Sequence, residues 1–125
     1  NLVWHAFEDM VGGEIYVKKI PSMKVVDIAK AISPQAKYKI IGIRDGEKLH
    51  EQMIGTEDSV STYEYKDYYK ILPKLNNWEK DKSRIKNGVK VPDGFVYSSD
   101  KNSKWFTKSE LRAWISKNQK KIIKI

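Results

Sequence analysis

The sequence predicts a mixed α/β lobe with a few short strands and about three helices. Apolar residues recur at helical spacing in residues 2–11 and 25–32. Shorter runs at residues 14–17 and 38–43 are rich in isoleucine, valine and tyrosine, which favour strands. A capping-box pattern that starts at Thr107 opens the third helix. With 125 residues, the chain fits one domain with a modest core.

Glycine and proline mark where these elements end. Gly12 and Gly13 end the first helix, and Pro34 stops the second one, for which Ser22 is the expected N-cap. The remaining elements are expected in this order: strand 38–43, turn 44–47, strand 49–54, loop 55–61, strand 63–72, an irregular stretch 74–94, and a helix from Thr107 with Glu110 completing its capping box.

The composition excludes several classes of protein. The absence of cysteine excludes a disulfide scaffold and cysteine-ligated zinc. The sequence has no phosphate-binding glycine motif and no apolar run of the ~18 residues that a membrane span requires. Its two histidines, His5 and His50, do not lie in a metal-binding motif, so we expect no metal site.

Positive charge is concentrated in the C-terminal part of the chain. Residues 1–73 carry ten basic and eleven acidic side chains, whereas residues 74–125 carry 14 basic and five acidic ones. A solvated surface explains this excess. The alternative is a non-catalytic basic module that binds an anionic partner such as RNA or a membrane surface.

Two further patterns have both a functional and a structural interpretation. Tyr97 and Lys101 have the Tyr-xxx-Lys spacing of short-chain dehydrogenases, but they follow a Pro-Asp-Gly turn where we expect a loop, so we interpret the match as coincidence. Tyrosines cluster with lysines within residues 63–70, as in proteins that stack bases. Tyrosines are also common on half-buried strands, and this is the favoured interpretation.

The stretch IIGIRDGEKLHEQMI, residues 40–54, is the strongest candidate for a binding loop. Arg44 offers a planar set of donors that matches phosphate oxygens, and Glu47 can accept the paired hydroxyls of a ribose. The two residues are separated by Asp45 and Gly46, so both could point into one cleft. From the residues alone, an Asp-Gly hairpin turn with charged side chains on its surface is the favoured interpretation.

Four segments in one order carry a family resemblance: GGEIYVKKIPSMKVVDIAKAI, IIGIRDGEKLHEQMI, TYEYKDYYKILP and YSSDKNSKWFTKSELR. They resemble the C-terminal part of the inverting UDP-N-acetylglucosamine 4,6-dehydratases, which belong to the extended short-chain dehydrogenase/reductase superfamily. The resemblance covers residues 3–115. It implies a small C-terminal substrate-binding lobe in an enzyme of surface polysaccharide or pseudaminic acid biosynthesis in the cytoplasm.

The resemblance also implies which residues bind the substrate. Arg44 should face the diphosphate of the UDP-sugar and Glu47 its ribose. Pro21 and Met23 belong to a loop that shapes the site, and His50 lies near the cleft or at a subunit contact. No catalytic residue and no metal ligand is expected in this lobe.

The same resemblance implies partners and a division of the chain. The Rossmann lobe, which holds NADP and the catalytic residues in the family, is absent, so the lobe alone should be inactive. We expect Asn1 to be the cut edge of a longer protein, made as a fragment or encoded by a split gene. One lobe is expected, with a core at 1–73 and a basic extension at 74–125. Neither nucleic acid nor membrane is an expected partner, and a homo-oligomer stays open.

Two positions depart from the family pattern. Lys18 and Asp45 stand where the family has proline. Because proline fixes its own φ and restricts the preceding residue, the turn that carries Arg44 should be less preorganised here. A carboxylate at position 45 would also repel a diphosphate if it faced the cleft.

Overall fold

The structure of the chain, a computed structural model, describes residues 2–122, and within the last helix it describes side chains as far as residue 118. The contacts divide the chain into two compact units. Unit 1 comprises Asn1–Ile20 and Glu51–Lys101, and unit 2 comprises Pro21–His50 and Asn102–Ile125. The charge boundary at residue 73 therefore does not coincide with a boundary between the units.

Short helices and strands alternate along the described residues, which confirms the predicted mixed α/β class. The helices are α1 (Leu2–Asp9), α2 (Val25–Ile32), α3 (Thr56–Ser59), α4 (Lys82–Ile85) and α5 (Lys108–Ile122), with a 3-10 turn at Trp78–Lys80. The strands are β1 (Ile15–Lys18), β2 (Gln52–Ile54), β3 (Thr62–Glu64), β4 (Tyr68–Ile71), β5 (Val89–Lys90) and β6 (Tyr97–Ser98). Among the described helices, none is long and apolar enough to cross a membrane.

Unit 1 is built on two antiparallel sheets. The larger has the strand order β1-β4-β3-β5, and β2 pairs with β6 in the smaller. The predicted single strand at 63–72 is wrong, because β3 and β4 form a hairpin. Its turn is closed by the Tyr65 N–H, which donates to the Tyr68 carbonyl at 2.9 Å. Every second residue of such a hairpin can reach the core.

The core of unit 1 lies on one face of these strands. Tyr69 packs against Tyr97 and Phe95 with ring centroids 5.2 and 5.3 Å apart. Tyr63 is buried as well, so the core interpretation of the tyrosines holds for these two residues. The buried cluster consists of Val17, Ile54, Tyr69, Ile71, Val91 and Tyr97.

Unit 2 contains the helix pair α2 and α5. The guanidinium of Arg112 donates to the carbonyls of Ala31 and Lys30 at 3.1 and 2.9 Å, which satisfies the last turn of α2. Ser22 is not the N-cap of α2, contrary to prediction, because Lys24 takes that position. The backbone of Ser22 is instead paired with Lys104 at 2.8 Å, and its hydroxyl accepts a hydrogen bond from Asn102.

The start of α5 confirms the predicted capping box. The Thr107 hydroxyl accepts from the Glu110 N–H at 3.2 Å, and the Glu110 carboxylate accepts from the Thr107 N–H at 2.8 Å. These contacts satisfy two amides that the first turn of a helix leaves without a partner.

The predictions around the candidate binding loop were partly wrong. Residues 38–43 form no strand, since both described sheets lie in unit 1 and unit 2 offers no strand to pair with. Of the strand expected at 49–54, the structure has only β2. The expected loop 55–61 contains α3, and the stretch 74–94 contains α4 and β5.

Candidate functional site

The candidate site is the turn of residues 44–47 in unit 2. The Glu47 N–H donates to the Arg44 carbonyl at 3.0 Å, which closes a four-residue turn. Gly46 has φ +84°, the value that a type II turn requires at its third residue and that favours glycine. Asp45 occupies the second position, where proline is common in this type of turn.

Arg44 and Glu47 bind each other within this turn. Oε1 of Glu47 accepts from Nε of Arg44 at 2.8 Å and lies 2.7 Å from its second terminal nitrogen. Oε2 accepts from the Arg44 backbone N–H at 3.0 Å. Hydrogen bonds from the Arg44 backbone and guanidinium lower the pKa of Glu47, so this carboxylate is charged at neutral pH.

Both side chains of the turn are accessible to a ligand. The exposed fraction is 78% for the Arg44 side chain and 42% for the Glu47 side chain. The guanidinium can bind phosphate oxygens in pairs, and the carboxylate can accept two neighbouring hydroxyls. Within four residues, the turn therefore offers one partner for phosphate oxygens and one for neighbouring hydroxyls, the two kinds of group that a nucleoside diphosphate presents.

The other predicted site residues lie in the same unit. Pro21 is exposed and Met23 is half-buried in the extended segment before α2, and His50 is exposed at the end of Pro21–His50. Of the five predicted residues, the described contacts join Arg44 and Glu47 directly. That mutual pairing was missed in the sequence, although opposite charges three residues apart across an Asp-Gly turn are its signal.

Tyr97 has a structural role. Its hydroxyl accepts from the Ile20 N–H at 2.9 Å and donates to the Ile20 carbonyl at 3.0 Å. Tyr97 lies in β6 and Lys101 in a turn, so the helix on which a catalytic Tyr-xxx-Lys pair depends is not present at these residues. The interpretation of this spacing as coincidence agrees with the structure.

Several cations of the basic part of the chain hold the fold together. Arg84 forms a buried ion pair with Glu14. Its guanidinium also lies over the Trp78 ring, 4.1 Å from the ring centroid. The Lys90 ammonium donates to the Ser59 carbonyl at 2.6 Å. These contacts explain part of the excess positive charge without an anionic partner. Among the described residues, no cluster of three or more histidines and carboxylates could hold a metal ion.

The chain is similar to a known protein family and to several characterised proteins. A family model described as "Polysaccharide biosynthesis protein" matches residues 1–73, which include the turn. The UDP-N-acetylglucosamine 4,6-dehydratase (inverting) of Campylobacter jejuni serotype O:2 is 52% identical over 110 residues, which cover 84% of this chain and 33% of that protein. The UDP-glucose 4-epimerase of Rickettsia canadensis is 37% identical over 75 residues, covering 57% of this chain and 22% of the relative.

A solved structure supports the same grouping. The X-ray structure of Pen from Bacillus thuringiensis superposes with a TM-score of 0.75 at 26% identity, covering 94% of this chain and 35% of that one. This chain spans about a third of the length of the dehydratases it matches. The predicted resemblance to the inverting dehydratases is confirmed, and the likeness to the epimerases agrees with the short-chain dehydrogenase/reductase superfamily. The chain therefore belongs to the polysaccharide biosynthesis protein family.

Proposed function

We propose that this chain is the UDP-sugar binding lobe of an NADP-dependent, C5-inverting UDP-N-acetylglucosamine 4,6-dehydratase of surface polysaccharide or pseudaminic acid biosynthesis. The turn of residues 44–47 carries the proposal, because it presents an arginine and a carboxylate in reach of one nucleotide. Arg44 binds the diphosphate and Glu47 accepts the ribose hydroxyls. Pro21, Met23 and His50 line the rest of the site.

Support for the ligand class comes from two independent observations. Relatives that are 52% and 53% identical over 110 residues are named for a UDP-sugar substrate. The exposed Arg44 guanidinium already binds an anionic oxygen through two of its nitrogens, and a planar guanidinium can also bind paired phosphate oxygens. A lobe of this kind contributes binding and orientation of the substrate, and the enzyme works in the cytoplasm.

The described residues do not fit an NADP site. Dinucleotides bind at the carboxyl ends of parallel strands, beside a glycine-rich turn that opens a helix. The strands described here pair in antiparallel fashion, and the turn at 44–47 does not lead into a helix. We therefore assign NADP and the catalytic residues to a Rossmann lobe outside these 125 residues, and we expect this lobe alone to be inactive.

An apolar surface on unit 2 suits burial by that other lobe. Isoleucines before the turn are highly exposed, and Ile40 is 86% accessible. Clusters of exposed apolar side chains are usually covered in a folded protein, because burial stabilises it by about 25 cal/mol per Å² of apolar area. The exposed residues are Tyr38, Ile40, Ile41, Ile43 and Leu49.

Titration of UDP into the wild-type chain and two variants tests the assignment of Arg44. Arg44→Ala should weaken binding roughly tenfold or more, since a hydrogen-bonded charge pair with the diphosphate is lost. Lys48→Ala is the matched control, because it removes one exposed cation from the same stretch and should change affinity by less than about twofold. Equal affinities of wild type and Arg44→Ala would refute the assignment.

A further inference from the structure

Arg44 and Glu47 already bind each other, although the proposed function assigns them to different parts of a nucleotide. The Glu47 carboxylate lies against the edge of the guanidinium formed by Nε and one terminal nitrogen, at 2.8 and 2.7 Å. That edge is one of the two through which a guanidinium can bind a pair of phosphate oxygens, the other being formed by its two terminal nitrogens. The carboxylate therefore occupies one of the two places where a ligand anion could bind.

We propose that Glu47 is an internal competitor that holds Arg44 until a diphosphate displaces it. This inference rests on the proposed function, because it describes how the same site is regulated. Binding of the diphosphate exchanges one set of charge-assisted contacts for another. The apparent affinity for the anion is then reduced according to the fraction of molecules in which the pair is closed.

The exchange favours a ligand that carries both a diphosphate and a ribose. When the diphosphate takes Arg44, the Glu47 carboxylate is released to accept the ribose hydroxyls. A free diphosphate opens the pair without satisfying the carboxylate, and a nucleoside does not displace it from Arg44. Because the turn is closed by the Glu47 N–H and the Arg44 carbonyl, its backbone holds both side chains near one ligand during the exchange. Glu47 therefore determines specificity for nucleoside diphosphates over either half.

Inorganic pyrophosphate is the probe that isolates this effect, because it has no ribose for Glu47 to bind. Glu47→Gln should bind pyrophosphate roughly three- to fivefold more tightly than wild type, since Arg44 is released. Asp45→Asn is the matched control, because it removes the same charge from the same turn. It should gain less than about twofold, whereas Arg44→Ala should lose the binding.

The NMR signal of the Arg44 Nε–H reports the pair directly. In wild type it should shift on addition of pyrophosphate, and in Glu47→Gln it should lie at a different position before any ligand is added. A ligand-free Glu47→Gln variant whose signal lies at the wild-type position would overturn the competitor role. An equal gain in affinity for Glu47→Gln and Asp45→Asn would do the same. If Arg44→Ala still weakens UDP binding, the proposed function survives that result. Unchanged binding of UDP and pyrophosphate by Arg44→Ala would overturn both.

Discussion

The ammonium of Lys70 lies 2.5 Å from the carboxylate of Asp9, and both side chains are almost completely buried. The pair connects α1 to β4 within unit 1. Tyr16 donates to the same carboxylate at 2.6 Å, and Lys70 also donates to the Arg84 carbonyl at 2.8 Å. Each polar group of this cluster has partners, which is the condition under which a buried charge is tolerated.

Replacement of Lys70 by methionine tests this cluster. The change removes the buried cation from the Asp9 carboxylate, which keeps the more exposed Lys86 as an ion-pair partner, so it should lower the free energy of unfolding by about 3–5 kcal/mol. Lys66→Met, at an exposed position of the same hairpin, should change it by less than about 0.5 kcal/mol. Urea unfolding measures both. Equal effects of the two variants would contradict a structural role for the buried pair.

Asp9 also makes stability depend on pH. Burial raises the pKa of this carboxyl, but hydrogen bonds from Lys70, Lys86 and Tyr16 outweigh burial and bring the pKa well below its ordinary value. A carboxyl whose pKa is lower in the folded state stabilises the fold above its unfolded pKa of about 3.9. That stability is lost as the pH falls further.

Urea midpoints between neutral pH and pH 3 check this dependence. The wild-type midpoint should fall below about pH 4, because the unfolded chain then takes up a proton at Asp9 that the folded cluster does not accept. Asp9→Asn should be less stable at neutral pH and should show a shallower decline in acid. The pKa of Glu14 is lowered in the same direction, so part of the acid sensitivity should remain in the variant. Parallel curves for the two proteins would exclude Asp9 as a source.

Gly88 is a position where packing requires glycine. A Cβ atom there would lie 2.6 Å from the ring of Tyr65, whose hydroxyl is held by the Ile85 carbonyl at 2.7 Å. Gly88→Ala should therefore destabilise the chain by about 1–3 kcal/mol in thermal or urea unfolding. Asn87→Ala, at the exposed neighbouring residue, should be close to neutral. If both variants match wild type, the close packing of Tyr65 against Gly88 is refuted.

Two variants test the structural role of Tyr97. Tyr97→Phe removes the hydroxyl that bonds the backbone N–H and carbonyl of Ile20, and it should lower the free energy of unfolding by about 1–3 kcal/mol. Lys101→Met should have almost no effect, because Lys101 is exposed in a turn. Urea unfolding measures both, and equal stabilities of Tyr97→Phe, Lys101→Met and wild type would contradict this structural role of Tyr97.

Asp45→Pro tests whether the departure from the family turn weakens ligand binding. Proline at the second position of a type II turn fixes φ near the required value and removes a carboxylate beside Arg44. UDP should bind several-fold more tightly to this variant. Asp45→Ala, which removes the charge but not the freedom of φ, should recover only part of the gain. Weaker binding of Asp45→Pro than of Asp45→Ala would show that preorganisation is not what the turn lacks.

The sequence predicted those elements that are specified by local patterns, such as a capping box or helical spacing. The helix that follows Thr107 begins as its capping box predicts, and α2 occupies Val25–Ile32, where the helical spacing is clear. The hairpin of β3 and β4 was not predicted, because its turn, Tyr65 to Asp67, lacks glycine and proline. A strand at residues 38–43 was predicted from β propensity, but propensity does not supply the neighbouring strand that pairing requires.

At the candidate site, too, local features were predicted and contacts that depend on the folded geometry were not. The chemistry of Arg44 and Glu47 and the turn between them were readable, since a positive φ at Gly46 follows from the Asp-Gly pair. The spacing of opposite charges was a signal for their mutual ion pair, but the contact also depends on the geometry in which the turn closes. The buried Asp9–Lys70 pair joins residues far apart in sequence, so no local pattern could reveal it.

The contacts around β6 have a consequence for how the chain could be divided. Ile20 is held by the Tyr97 hydroxyl, and the Glu51 N–H donates to Ser99 Oγ at 3.1 Å. The two ends of Pro21–His50 therefore emerge from neighbouring points of unit 1, as the ends of an inserted domain do. A short glycine-serine linker could replace this insertion and leave the sheets of unit 1 with continuous connections. Such a deletion variant would allow the sheets of unit 1 to be studied without the candidate turn of residues 44–47.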